Sequence, residues 1–325
     1  MSKRCIGCGS VLQIENPLET GYVFDFSKDY CMRCFRLKHY HEFQQGIEID
    51  KKGLLDSIKK KKGLFFFFVD FLQLSKESLD YFLDLPSPKI LLVSKCDIIP
   101  KSLSYAKLEK WITQEFHIQE RILFVQRNSL SSLKKIQREM ENYSGNDFYF
   151  LGMTNAGKST FLNAFLREVE GKESSIVESE YPNTTLDFID ISTSLGVIHD
   201  SAGIPYDIPL SDKKLFEKSQ IKKELHPLNY PLKKGARLLI EDLIEIEVLE
   251  DTSIVCLLSQ NYRIQKSYQP AIESSEFFSL KIPDKSNLLI KGVGVFYFKR
   301  ETSIVLHGLK REHVEVLPSY MGGLS

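Results

Sequence analysis

The sequence predicts an α/β architecture: a mostly parallel sheet flanked by helices, preceded by a small cysteine-paired module and followed by a β-rich domain. Three observations predict it. Between residues 64 and 167, short apolar runs alternate with helical periods, the pattern of successive βαβ units. One of those runs leads through a glycine loop into a helix, in the motif G-x-x-x-x-G-K-[ST] at residues 152 to 159. Beyond residue 235 the periods shorten to β-like runs with few helical stretches. Three regions follow: residues 1–45, 46–215 and 216–325.

Composition narrows the function. The chain has 325 residues, 42% hydrophobic and 26% charged, enough for several cores. Its 43 Lys and Arg balance its 43 Asp and Glu, so any nucleic-acid surface is a local patch and not a global field. No DNA partner is expected. The longest apolar run, Leu64 to Val69 with Phe65 to Phe68 inside it, falls far short of the roughly 18 residues that cross a bilayer. It reads as a buried strand, and no membrane partner is expected. The segment MSKRCIGCGS lacks an apolar stretch after its basic residues, which predicts no secretory signal and a cytoplasmic protein.

The first region carries Cys5, Cys8, Cys31 and Cys34 as two Cys-x-x-Cys pairs with 22 residues between them. In a reducing compartment this spacing predicts a four-thiolate Zn²⁺ site, each pair chelating from a tight turn. His39 and His41 read as surface residues of a short helix after Cys34, since four sulfurs fill the metal's sphere. Residues 1 to 62 hold 12 Lys and Arg against 8 Asp and Glu, a modest local surplus. Arg33, Arg36 and Lys38, with Phe35 and Tyr40, form a candidate RNA-facing set combining phosphate contacts with stacking. Cys96 and Cys256 lack such partners and read as buried small hydrophobes.

The second region reads as strand LFFFFVD, a helix near Lys76 to Leu83, strand KILLV from Lys89, and a helix around Tyr105 to Phe116. Strand RILFV from Arg121 and a helix from about Ser132 to Asn142 come next. Strand DFYFLG, a helix from Lys158 to about Arg167, and a hairpin breaking near Leu195 and Gly196 complete it. No internal repeat is evident in the β-like runs of the third region.

Gly152-Met-Thr-Asn-Ala-Gly157-Lys158-Ser159 is the strongest motif. Glycines at 152 and 157 permit close backbone approach, so the amides of Asn155, Ala156, Gly157, Lys158, Ser159 and Thr160 can face a phosphate at a helix amino terminus. Lys158 is expected to reach the β- and γ-phosphates and Ser159 to hold Mg²⁺. Asp200-Ser-Ala-Gly203 matches D-x-x-G, with Asp200 on the Mg²⁺ side and the Gly203 amide sensing the γ-phosphate. Thr184 and Thr185 lie between these motifs; Thr185 is expected to close over Mg²⁺, with residues 171 to 181 as its lid.

A carboxylate accepting from guanine N1 and N2 selects guanine over adenine. Asp97 in Ser94-Lys95-Cys96-Asp97 is the candidate, in the place of N-K-x-D but with Ser94 for Asn; the Lys95 stem would pack over the base. Asn128 and Ser129 mark the loop expected on the base's other side. A P-loop ATPase would leave this tetrad unexplained. The tetrad precedes the phosphate loop, whereas ordinary GTPases have the reverse order, so the second region reads as a circularly permuted P-loop GTPase domain.

Cys5-x-Gly7-Cys8-Gly9, the run Cys31-x-Arg-Cys-Phe-Arg-Leu-Lys-His-Tyr40, the rotated motif order and the β-rich tail together resemble the YqeH family. The resemblance implies a GTP-hydrolysing switch in small ribosomal subunit assembly, with ribosomal RNA or precursor particles as partner. It also implies a hydrophobic residue after D-x-x-G, here Ile204, and K⁺ bound near Asn155 in the role of an arginine finger. Lys158, Asn155, Gly203 and Thr185 would then carry catalysis. The alternative is a ribosome-associated scaffold that binds nucleotide with little or no hydrolysis.

Overall fold

The computed structural model describes residues 3–5, 11–15, 21–23, 25–29, 31, 51–127, 129–171, 188–201, 203–204, 221, 223–272, 274 and 276–321. The second region alternates α1 (Lys51–Ile58), β1 (Leu64–Asp70), α2 (Lys76–Leu83), β2 (Lys89–Ser94), α3 (Tyr105–Phe116) and β3 (Arg121–Phe124). It continues with α4 (Leu130–Asn142), β4 (Asp147–Gly152), α5 (Lys158–Glu168), β5 (Phe188–Thr193) and β6 (Gly196–Ser201). These strands form one six-stranded sheet in the order β3-β2-β1-β4-β6-β5, parallel except for β5.

Strand β1 is apolar without alternation because both its faces are covered, and every residue from Leu64 to Asp70 is buried. Phe65 stacks on Tyr149 at 4.8 Å and Phe66 on Phe150 at 5.0 Å, which fixes β1 against β4. The helices start where hydroxyl caps allow: Ser75, Ser104 and Ser129 each accept from a backbone N–H three residues on. The sheet order brings the ends of β2 and β4 to the same edge of the sheet, separated by β1.

The third region is a sandwich of ten strands: β7 (Leu228–Leu232), β8 (Arg237–Ile240), β9 (Ile244–Val248), β10 (Thr252–Leu258), β11 (Ile264–Ser267), β12 (Phe277–Ile282), β13 (Ser286–Ile290), β14 (Gly294–Phe298), β15 (Thr302–His307) and β16 (Val314–Pro318). Its two sheets run β16-β13-β14-β10-β7 and β11-β8-β9-β15-β12. Adding five to each strand number of β11-β8-β9 gives β16-β13-β14, and β12 and β15 map from β7 and β10 in the same way. The expectation of no repeat is therefore wrong: the domain is a duplication, and each half lends two strands to the other's sheet. At an offset of 50 residues Leu238-Leu239-Ile240 matches Leu288-Leu289-Ile290, and Thr252 to Val255 matches Thr302 to Val305. The repeat hides because its identities sit in short apolar runs that any sandwich core would favour.

The sheet containing β10, β13 and β14 is buried on both faces. Ile254, Cys256, Leu288, Phe296 and Phe298 fill the sandwich, while Val255, Leu257, Leu289, Val295 and Tyr297 join the core of the α/β region. Polar contacts secure this seam: Gln73 Oε1 accepts from Gly292 N at 2.8 Å, Glu315 Oε1 from Lys76 N at 2.8 Å, and Pro318 O from Trp111 Nε1 at 2.9 Å. Cys96 and Cys256 are both buried, and burial pushes their thiols well above the usual range.

Candidate nucleotide site

The phosphate loop leaves the end of β4 already tied to its neighbours. Phe68 O accepts from Met153 N at 3.0 Å, and a Cβ on Gly152 would lie 2.5 Å from that same oxygen, so only glycine fits there. Asn155 (φ 62°) and Gly157 (φ 82°) take the left-handed conformation that turns the loop. No side chain caps α5 at Gly157, which leaves its first-turn N–H groups facing the loop, the arrangement that receives a phosphate. Ser159 and Thr160 are exposed on that first turn and Asn155 is exposed on the loop, while Ala156 is buried beneath it.

Behind the loop, Ile204 N donates to Gly152 O at 2.9 Å and Thr154 N donates to Ile204 O at 2.8 Å, so the strand end after Asp200 is stitched to the phosphate loop. Gly203 lies against Thr154, where a Cβ would come within 3.0 Å of the Thr154 Cα. Lys158 Nζ donates to Asp200 Oδ1 and, at 2.6 Å, to Ser201 O. Both side chains of this pair are buried, at 7% and 10% exposure, so phosphate contact by Lys158 requires exchanging one anionic partner for another.

The tetrad Ser94 to Asp97 meets this loop. Ser94 Oγ donates to Ala156 O, two residues before Lys158, at 2.5 Å and lies 3.0 Å from Val69 O. A narrow cleft lies between Ser94, Lys95, Gln126 and Arg127 on one side and Gly157 and Thr160 on the other, floored by Phe68, Leu133 and Phe161. Lys95 adopts φ 56° and its Nζ pairs with Asp70 Oδ2 at 2.6 Å. Asp97 accepts from Arg127 N at 3.1 Å and Arg127 Nε at 2.7 Å. Burial pushes the Asp97 carboxyl up, but the Arg127 hydrogen bonds and charge outweigh it and hold the group below the usual carboxylate range.

The structure thus brings Gly152, Asn155, Ala156, Gly157, Lys158, Ser159, Thr160, Asp200, Gly203, Ser94, Lys95 and Asp97 into one region. It reassigns Ser129: its side chain caps α4, so Gln126 and Arg127, not Ser129, line the cleft. Asn128, Thr184 and Thr185 lie outside the described residues. Asp70 and Arg127 were not anticipated; their only sequence signal is position, one ending β1 and the other following β3 by three residues.

Of the four proposed zinc ligands, Cys8 and Cys34 lie outside the described residues, as do Arg33, Arg36, Lys38, Phe35, Tyr40, His39 and His41. Cys5 and Cys31 are buried together with Leu12 and Val23, and Cys31 N donates to Cys5 Sγ at 3.1 Å. Arg4 and Val11 form an isolated antiparallel bridge beside Cys5. A sulfur that accepts a backbone N–H beside a second cysteine fits a thiolate ligand set. No helix among the described residues is long and apolar enough to cross a membrane.

Comparison with known proteins agrees with this geometry. Residues 147–260 match the family model described as "50S ribosome-binding GTPase". The chain is similar to "Uncharacterized protein YqeH" of Bacillus subtilis (strain 168), 30% identical over 282 residues, covering 81% of this chain and 77% of that protein. It is similar to "NO-associated protein 1, chloroplastic/mitochondrial" of Arabidopsis thaliana, 26% identical over 246 residues, covering 62% of this chain and 43% of that protein. "Putative nitric oxide synthase" of Oryza sativa subsp. japonica is 28% identical over 247 residues, 63% of this chain and 44% of that protein, so the chain spans under half of either plant protein. The identity to that Bacillus subtilis protein over four fifths of this chain, with the GTPase family model matching residues 147–260, places the chain in the YqeH family.

Proposed function

We propose that this chain hydrolyses GTP to GDP and phosphate through a circularly permuted GTPase domain, and that it acts as a cytoplasmic switch in small ribosomal subunit assembly. The observation that carries the nucleotide reading is the 2.5 Å bond from Ser94 Oγ to Ala156 O, which joins the base-reading loop to the phosphate loop. The sheet order supports permutation: β2, which leads into the Ser94 to Asp97 tetrad, lies one strand away from the phosphate-loop strand β4 in the same parallel sheet although it precedes it in the chain.

In this reading the first-turn amides of α5 and Lys158 hold the β- and γ-phosphates, and the Gly203 amide registers the γ-phosphate. Ser159, Thr185 and Asp200 would hold Mg²⁺, which when bound neutralises phosphate charge, and Asn155 would hold K⁺ for the same purpose. Ile204, directly after Gly203, is apolar and only 2% exposed, so it has no group with which to orient an attacking water. Lys158 and the loop amides supply the chain's own part of charge stabilisation. Cys5, Cys8, Cys31 and Cys34 would hold Zn²⁺ in a module whose basic and aromatic residues contact ribosomal RNA or precursor particles.

Phosphate release from GTP, measured with K⁺ and with small- or large-subunit particles, tests the reading. Turnover above background with GTP and not ATP is expected, stimulated by small-subunit particles. The matching family model's description names the 50S particle, so stimulation by large-subunit particles alone would move the site of action. Tight GDP binding with no turnover under any condition would replace the enzyme with a nucleotide-binding scaffold.

A further inference from the structure

A carboxylate reads guanine by accepting from its N1–H and N2–H, which requires the carboxylate to be ionised and aimed. Asp97 is half-buried, and burial alone pushes its carboxyl towards the neutral form. Three donors of one residue oppose this: Arg127 N reaches Oδ1 at 3.1 Å, while Nε and Nη2 reach Oδ2 at 2.7 and 2.5 Å. The guanidinium is itself fixed at its far end, where Nη1 donates to Ile221 O at 2.7 Å. Ile221 belongs to a segment held on the same loop, since Leu225 N donates to Ile98 O at 2.9 Å and Glu224 Oε1 accepts from Lys101 N at 3.1 Å. Nε and Nη2 together fill Oδ2, which leaves Oδ1, holding Arg127 N, as the oxygen with acceptor capacity for a guanine N–H.

We propose that Arg127 is the positioning residue of the base site: it aims Asp97 and keeps it ionised, so that the carboxylate can accept from guanine while Arg127 stays in place. This rests on the reading of Asp97 as the guanine selector. Ser94 Oγ is engaged by Ala156 O and Val69 O, so within this site Asp97 is held through Arg127.

The test is the binding of fluorescent GDP and ADP to the full chain from pH 8 to pH 5.5, for wild type, Arg127→Gln and Arg127→Lys. Arg127→Gln is expected to weaken GDP about tenfold at pH 8, the loss of a charge-assisted pair, and to leave ADP unchanged. Its deficit relative to wild type should widen as pH falls, because burial pushes an Asp97 without its cation towards the neutral form; phosphate ionisation is common to both proteins and cancels in the ratio. Arg127→Lys should keep the wild-type pH profile while losing affinity, and it serves if the Gln variant does not fold. Tighter GDP binding by Arg127→Gln would make Arg127 a competitor of the base and overturn the proposal, as would a deficit that does not change with pH. Equal GDP and ADP affinity in wild type, unaltered by Asp97→Ala, would remove the selector itself and is distinguishable from either result.

Discussion

At the scale of single residues, the site is governed by two buried close approaches. Lys158 and Asp200 neutralise each other in a position where neither could stand alone. Lys158→Ala should therefore abolish turnover and also lower stability by about 3 kcal/mol, because it leaves a buried carboxylate unpaired. Adding Asp200→Asn should recover most of that stability and none of the turnover, which urea denaturation and phosphate release separate cleanly. Gly203 sets the second constraint. A methyl there would sit 3.0 Å from Thr154 Cα and 3.1 Å from its Oγ1, so Gly203→Ala should cost about 1–3 kcal/mol and loosen the stitch between Ile204 and the phosphate loop. A normal denaturation midpoint for that variant would show the loop to be more plastic than its contacts imply.

At the scale of elements, the seam between the α/β region and the sandwich is where the chain spends aromatic area. Tyr320 is buried against Trp111 at 4.7 Å and Phe71 at 5.7 Å, and its hydroxyl finds no hydrogen-bond partner among the described residues. Tyr320→Ala should cost about 3–5 kcal/mol, while Tyr320→Phe should be neutral or stabilise by up to about 1 kcal/mol, since it removes only an unpaired hydroxyl. Thermal melts of the two variants check both signs. Glu315, at the amino end of α2, adds a pH dependence. Burial pushes its carboxyl above the usual range despite the Lys76 N–H that it accepts. A carboxyl raised on folding contributes stability that is present at acid pH and lost as pH rises through its folded value. Glu315→Gln should hence melt higher than wild type at pH 8 and lose that advantage near pH 4.5; the opposite trend would mean that the Lys291 charge dominates the seam.

At the scale of the whole molecule, the duplicated sandwich has used its two equivalent faces differently. Leu289, Val295, Tyr297 and Leu257 dock one of the two sheets on the α/β core. Fifty residues earlier or later, the equivalent positions are Leu239, Glu245, Glu247 and His307, and the last three carry charge or a titratable ring. Glu245 and Glu247 are paired with Arg237, so the second face is finished with ion pairs where the first is finished with a neighbouring domain. An apolar face needs a partner; a satisfied polar face does not. The zinc reading belongs to this scale too. Metal analysis of the purified chain should give roughly one zinc per molecule, lost in Cys31→Ser. Retention of zinc by that variant would remove Cys31 from the ligand set.

The phosphate loop was legible because its pattern is local: two glycines, a lysine and a serine fall within the eight residues 152–159, and the flanking strand and helix are written in adjacent periods. The Phe-rich strand was legible for a similar reason, since burial on both faces leaves no polar alternation to misread. By itself the sequence determined the strands and helices of the α/β region from Leu64 onward, though not the helix Lys51–Ile58, and it supplied the glycine-loop motif and the cysteine pairs. Only tertiary structure decided that Ser94 touches Ala156, that Lys158 rests on Asp200, that Arg127 and not Ser129 faces the cleft, and that the last ten strands are one motif used twice. Each of these depends on which strands become neighbours in a sheet. That choice is made by packing across distances that no local period records.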